Sequence, residues 1–274
     1  MPMTDNDNSG EFSLLNHIPP VLRARGYRLY AQGSRRLIDL WLNGGAAVLG
    51  HTAPNMLHEL KNTASRGLYA PLPHFAENRF LKALSRILPN RTFRLYVSPP
   101  AELETLFKTG TASIWRPFAD PASPFAIADN APLIIPVLPG IQTWRAGLPL
   151  GLCAAAVQTG NTADEKLLSQ LPPNDALSPV FFSVATRGIY NLLASPERSK
   201  PKLPRAAKAI QNSRWMRKGI YLYLKEKPDN NWDLLFDKFL EAGFLLPPVF
   251  AHPLILPGEL SAGEEAKLAS VLLI

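Results

Sequence analysis

The sequence predicts an α/β fold, and three observations carry that expectation. Helix-period and strand-like segments alternate along the chain. Of 274 residues, 46% are hydrophobic and 19% charged, and the mean hydropathy is near zero, a composition that packs a core rather than staying unfolded. Proline is the outlier: 27 residues, roughly twice the usual share. Each interior proline removes a backbone donor, which argues against long helical bundles, coiled coils and closely laddered β-sandwiches.

Residues 1–12 are polar and acidic and read as a disordered tail. Tyr27–Tyr30 and Arg36–Trp41 are aromatic and aliphatic runs separated by Gln32-Gly33-Ser34, so Gly26 to Leu42 is expected to form a β-hairpin. Pro54 is suited to the first turn of a helix reaching Arg66, with Gly67 as its stop, and Met56, Leu57 and Leu60 are expected to pack it beside the hairpin. Phe80, Leu81, Leu84, Ile87 and Leu88 share one face of a second helix over 75–88. Phe93–Val97 reads as a strand, Ser98-Pro99-Pro100 as a break, and Ala101–Lys108 as a short helix.

From Pro117 to Pro149 prolines recur every few residues, and Phe125–Ala128 and Leu133–Leu138 are short buried-strand candidates. Leu177–Ala194 reads as a buried helix, Gly219–Leu224 as a strand, and Trp232–Ala242 as an amphipathic helix closed by Gly243. Ser261 and Glu264 have capping-box spacing and open a last helix to about Leu272.

The net charge of +7 is concentrated in one place. Arg198, Lys200, Lys202, Arg205, Lys208, Arg214, Arg217 and Lys218 are eight positive charges with no acid between them, leaving the remainder nearly neutral. The segment reads as a solvated connector, with an anionic partner such as nucleic acid as the second reading; Trp215 is its one aromatic. Cys153 is the single cysteine, which excludes an intrachain disulfide framework and fits a reducing cytoplasm. No run approaches the ~18 apolar residues of a membrane span, and no secretory leader is evident. His17, His51, His58, His74 and His252 lack metal-site spacing, so no metal centre is expected. Nucleotide-loop and nucleophile-elbow patterns are absent from suitable contexts.

Gly26-Tyr-Arg-Leu-Tyr-Ala-Gln-Gly-Ser-Arg-Arg-Leu-Ile-Asp39, followed by Leu49-Gly50-His51-Thr-Ala-Pro54, resembles the opening of class III (ω-type) aminotransferases, the family that includes the glutamate-semialdehyde aminomutases. Ser178-Pro179 ahead of a buried helix and the stretch from Phe236 to Ser261 are similar to later parts of that family. The resemblance implies a type I fold of pyridoxal phosphate (PLP) enzymes. It implies a reduced large domain with a mostly parallel sheet and a small α+β domain built from both chain ends. The expected division is a 13–92 segment, a 93–195 cofactor-type domain, a 196–218 basic connector and a 219–274 small-domain segment. Family membership also implies a homodimer, with Gly44–Gly50 at its interface.

PLP chemistry needs a lysine for the Schiff base, an acid facing the ring nitrogen and amide donors for the phosphate. By resemblance the lysine position holds Gln142, a few residues before Ala146-Gly-Leu-Pro-Leu-Gly151, and no lysine occurs between Thr109 and Glu165. The phosphate-cup position holds Ser98, Pro99 and Pro100, and Asp129 is the one acid near a central strand. These substitutions imply a noncatalytic relative with no cofactor, persisting in a binding or assembly role. An active PLP enzyme with relocated residues, using Lys108 or Lys166, is the second reading; a binder acting through 198–218 is the third.

Overall fold

The structure, a computed structural model, describes residues 13–127, 131–140, 152–160, 162–226 and 231–274. In chain order its elements are β1 (Val21–Arg25), β2 (Arg28–Ala31), β3 (Arg35–Asp39), α1 (Met56–Ala64), α2 (Ala76–Ile87), β4 (Arg91–Tyr96), α3 (Ala101–Lys108), β5 (Ala112–Trp115), β6 (Leu133–Pro136) and β7 (Cys153–Gln158). There follow α4 (Thr162–Gln170), α5 (Pro179–Leu193), α6 (Pro204–Gln211), β8 (Trp215–Lys218), β9 (Tyr221–Leu224), α7 (Trp232–Glu241), β10 (Phe244–Leu245), β11 (Leu254–Ile255) and α8 (Ala262–Val271). Among the described residues, no helix is long and apolar enough to cross a membrane.

The chain divides into two units, one of residues 1–42 with 197–274 and the other of 43–196. This boundary differs from the expected one. Residues 43–92 group with the sheet-bearing segment, and the basic stretch from Arg198 folds as part of the first unit instead of linking two others.

In the first unit β1, β2 and β3 form an antiparallel meander, and β10 adds parallel to β3. The hairpin forms as its turn glycine predicts: Gly33 and Ser34 take φ of 74° and 59°, and Leu29 faces Leu37. Strand β1 was not expected, because Val21 and Leu22 are exposed and leave no buried alternation to read. After β3 the chain enters a left-handed run, with φ of 50° at Leu42 and 52° at Asn43. Buried Asp39 organises that turn, its Oδ1 accepting from the amides of Trp41 and Leu42 at 2.8 Å each.

A second sheet, in the order β11-β9-β8, and helices α6, α7 and α8 complete this unit. The basic segment supplies α6 and β8. Trp215 is 3% exposed and meets Phe239 edge-on at 6.3 Å, so it is core and no stacking platform. Arg198 is also buried, donating to the Leu256 carbonyl and lying 5.3 Å from the centre of the Tyr27 ring. Burial pushes its pKa down from the usual arginine value. A charge count along the chain treats such a residue as solvated; the fold does not.

In the second unit the sheet order is β4-β7-β6-β5. Among the described residues the sheet is mixed where a mostly parallel one was expected: β4–β7 and β6–β7 pair antiparallel and β5–β6 parallel. The parallel pair is joined by the proline-rich stretch after Trp115, where no helix lies among the described residues. Phe125–Ile127, part of a strand candidate, is irregular. Tyr96, Leu133, Ile135, Cys153, Ala155 and Val157 form the sheet core with Leu103 of α3 and Leu167 of α4. Burial pushes the Cys153 thiol up to about 12, which makes it an inert packing residue.

Helices α1 and α2 both pack on α5, with Phe80 and Phe182 rings 5.6 Å apart. Within its own unit α1 packs on α5, and Leu57, one of the residues expected to pack it, is 62% exposed. Pro54 also lies outside the helix, because Asn55 takes a left-handed φ of 60° at the cap. The Asn191 amide of α5 donates to the Pro54 carbonyl at 2.7 Å and fixes that turn. Ser178 caps α5 as its position before Pro179 predicts, accepting from the Val180 amide.

Candidate functional site

The turn after β4 is where the phosphate cup was expected. Pro100 is extended and caps α3 without a side-chain hydrogen bond, and its carbonyl takes the amides of Leu103 and Glu104 at 3.1 and 3.4 Å. Pro99 and Pro100 have no N–H. Among the described residues this leaves the amides of Ala101 and Glu102 as the helix-start donors a ligand could use. The first turn of α3 carries Glu102 and Glu104, which complement the positive helix end that an anion would otherwise occupy.

The segment that follows α4 closes the other side of this turn. It runs along the edge of β4: Asn174 Oδ1 accepts from the Leu95 amide at 3.2 Å, and the Asp175 amide donates to the Leu95 carbonyl at 2.9 Å. The Tyr96 hydroxyl donates to the Pro172 carbonyl at 2.9 Å, and burial pushes that phenol up to about 12. The Asp175 carboxylate accepts from the Val97 amide at 2.9 Å. An amide beside the cup position is therefore already satisfied by a carboxylate, and a phosphate placed there would meet a like charge.

Gln142 and Asp129, the positions matched to the lysine and the ring acid, lie outside the described residues, as do the 146–151 run and the 1–12 tail. Lys108 sits at the far end of α3 from the cup, paired with Glu104 at 3.0 Å, and Lys166 is exposed on α4. Neither is brought to the turn at Ser98. Among the described residues no group of three or more His, Cys, Asp or Glu side chains is arranged to hold a metal ion.

The second unit holds a cavity of about 610 Å³ formed by residues 43–57 with Pro139 and Gly140. Its walls are largely small and apolar, and His51 is the one ionisable side chain lining it. Pro139 and Gly140 are clamped against α5. A Cβ added at Gly140 would stand 2.9 Å from the Ala185 Cα, and one added at Gly188 would overlap the Pro139 carbonyl. A small residue at Gly188 is thus required for the close approach that shapes this wall, and the sequence analysis gave it no role.

No family model matches the chain. An uncharacterised protein of Treponema pallidum is 26% identical over 280 residues, covering 86% of this chain and 88% of the relative. Another from Borreliella burgdorferi is 37% identical over 71 residues, 26% of each chain. Among solved structures, ornithine aminotransferase from Plasmodium yoelii aligns over 93% of this chain and 92% of its own, with a TM-score of 0.67 at 11% identity. N-acetylornithine aminotransferase from Stenotrophomonas maltophilia aligns over 94% and 96%, with a TM-score of 0.62 at 13% identity. A transaminase with PLP bound covers 99% and 97%, with a TM-score of 0.62 at 12% identity. The chain therefore has the fold of the PLP-dependent aminotransferases.

Proposed function

We propose that this chain is a degenerate aminotransferase-like protein, with a reduced cofactor domain, that neither holds PLP as a catalytic aldehyde nor transaminates, and that it acts by binding or assembly. The observation that carries the reading is the turn from Ser98 to Ala101, with prolines where amide donors are needed and the Asp175 carboxylate on the neighbouring Val97 amide. The shortage of nearby lysines supports it. Three separate requirements of the chemistry would have to be rebuilt, so Gln142→Lys alone is expected to restore no activity.

An absorbance titration of the full chain with PLP tests this. The expected spectrum is the sum of protein and free PLP, with no adduct after borohydride. A reducible adduct mapping to a single lysine would overturn the reading and make that lysine the catalytic candidate.

The resemblance extends the proposal to a homodimer. Light scattering at micromolar concentration is then expected to give twice the 30.2 kDa chain mass, and a mass near that of one chain would refute it.

A further inference from the structure

A cluster of cations lies where α1, α2 and α5 meet. Arg79, Lys82 and Arg86 follow one face of α2, Arg187 comes from α5, and Arg66 lies just past α1; all five line one groove of about 520 Å³. Glu59 is the one acid lining it, and it pairs with Arg187 at 3.5 Å. With Glu59 paired to Arg187, the other four cations have no second carboxylate among the groove's lining residues to offset them. Like charges three and four apart on a helix oppose folding by a few tenths of a kcal/mol per pair, a cost that a bound anion would reverse.

The guanidinium groups are held in place. Arg79 lies 4.7 Å from the centre of the Phe75 ring and Arg86 5.5 Å from that of Tyr190. Rings that fix an arginine leave less freedom to lose when it binds. Phe75 also stacks on His74, at 4.1 Å between centres. Phe75 is thus engaged by His74 and Arg79, which leaves it poorly placed as a base-stacking platform.

The span of the cluster sets the size of the anion. Arg79 and Arg86 are two turns apart, about 10 Å along the helix, whereas one phosphate reaches donors only about 3 Å from its oxygens. A chain of linked phosphates can meet both ends of the row at once, where a single one must draw the long side chains together. The groove's volume is that of a small-molecule site. We propose that this groove binds a small ligand carrying a di- or triphosphate group. The inference is independent of the fate of the PLP site, since no residue is shared.

Calorimetric titration of the full chain with inorganic tripolyphosphate tests it, beside orthophosphate and oligothymidylates of increasing length. Saturable one-to-one binding is expected for tripolyphosphate, at least tenfold tighter than for orthophosphate. Arg79→Ala and Arg86→Ala, both exposed and away from the core, are each expected to weaken it about tenfold. Lys267→Ala, exposed in the other unit, is expected to leave it unchanged. Absence of saturable binding at low salt would overturn the proposal, as would equal affinity in the arginine variants. Affinity that rises with oligothymidylate length beyond that of tripolyphosphate would overturn it in favour of nucleic acid.

Discussion

Replacing Gly188 by alanine is expected to destabilise the second unit by about 2 to 3 kcal/mol, the upper range for overpacking a tight contact. Intrinsic propensity points the other way, since alanine is better than glycine in a helix interior by about 1 kcal/mol. The contact decides the sign. A Cβ at this point of α5 would penetrate the Pro139 carbonyl oxygen and stand 2.8 Å from the Pro139 Cβ. The obstacle is a backbone group that cannot rotate aside. The turn cannot retreat easily either, because Gly140, at φ 81°, is pressed against Ala185 one helical turn earlier on α5. Gly263, on α8, has open space where its Cβ would go. Gly263→Ala is therefore the control and is expected to be neutral or slightly stabilising. Urea midpoints followed by circular dichroism separate the two, and a wild-type midpoint for Gly188→Ala would mean that helix and turn can part without cost.

The elements read correctly from sequence are those whose determinants are local. The box of Ser261 and Glu264, the turn glycine at Gly33 and the apolar face of α2 lie within a few residues of what they specify. Strand β7 is buried on both faces, so Cys153-Ala-Ala-Ala-Val157 has no alternation, and its alanines are helix formers by propensity. The core of the first unit joins Leu37 and Ile38 to Phe236, Phe239 and Leu268, residues from opposite ends of the chain, which no local window can connect. The candidate site was half legible. Pro99 and Pro100 announce missing amide donors by residue type alone, but the Asp175 carboxylate on the Val97 amide depends on a segment nearly eighty residues away. The arginine groove was invisible for the same reason. Its cations are spread from Arg66 to Arg187 with acids between them, and only the packing of three helices brings them together.

Glu264→Gln is expected to destabilise the first unit at neutral pH by about 2 to 3 kcal/mol, and the loss should fade in acid. Glu264 is buried at the start of α8. Arg28 grips it with both prongs, Nε to Oε1 at 2.9 Å and Nη2 to Oε2 at 2.7 Å, while Arg36 approaches Oε1 at 3.3 Å. The Ser261 amide donates to Oε2 at 2.8 Å, closing the capping box. The Arg28 hydrogen bonds, followed by those of Ser261, outweigh burial and hold the carboxyl down to about 2, from an ordinary value of 4.5. A depressed folded-state value stabilises the fold wherever the unfolded chain's carboxyl is ionised, so the contribution is complete above about pH 4.5 and disappears as pH falls toward 2. The exposure of Arg36 keeps the magnitude below the full linkage value of the shift. Glutamine preserves the shape and one acceptor but removes the charge that Arg28 and Arg36 share. Urea midpoints of wild type and variant should therefore lie far apart at pH 7, converge as pH falls from 4.5 toward 2, and nearly coincide below that. Parallel profiles across the range would show that Arg28 is satisfied equally well by a neutral amide, and that the charge at Glu264 contributes nothing to holding α8 against β2.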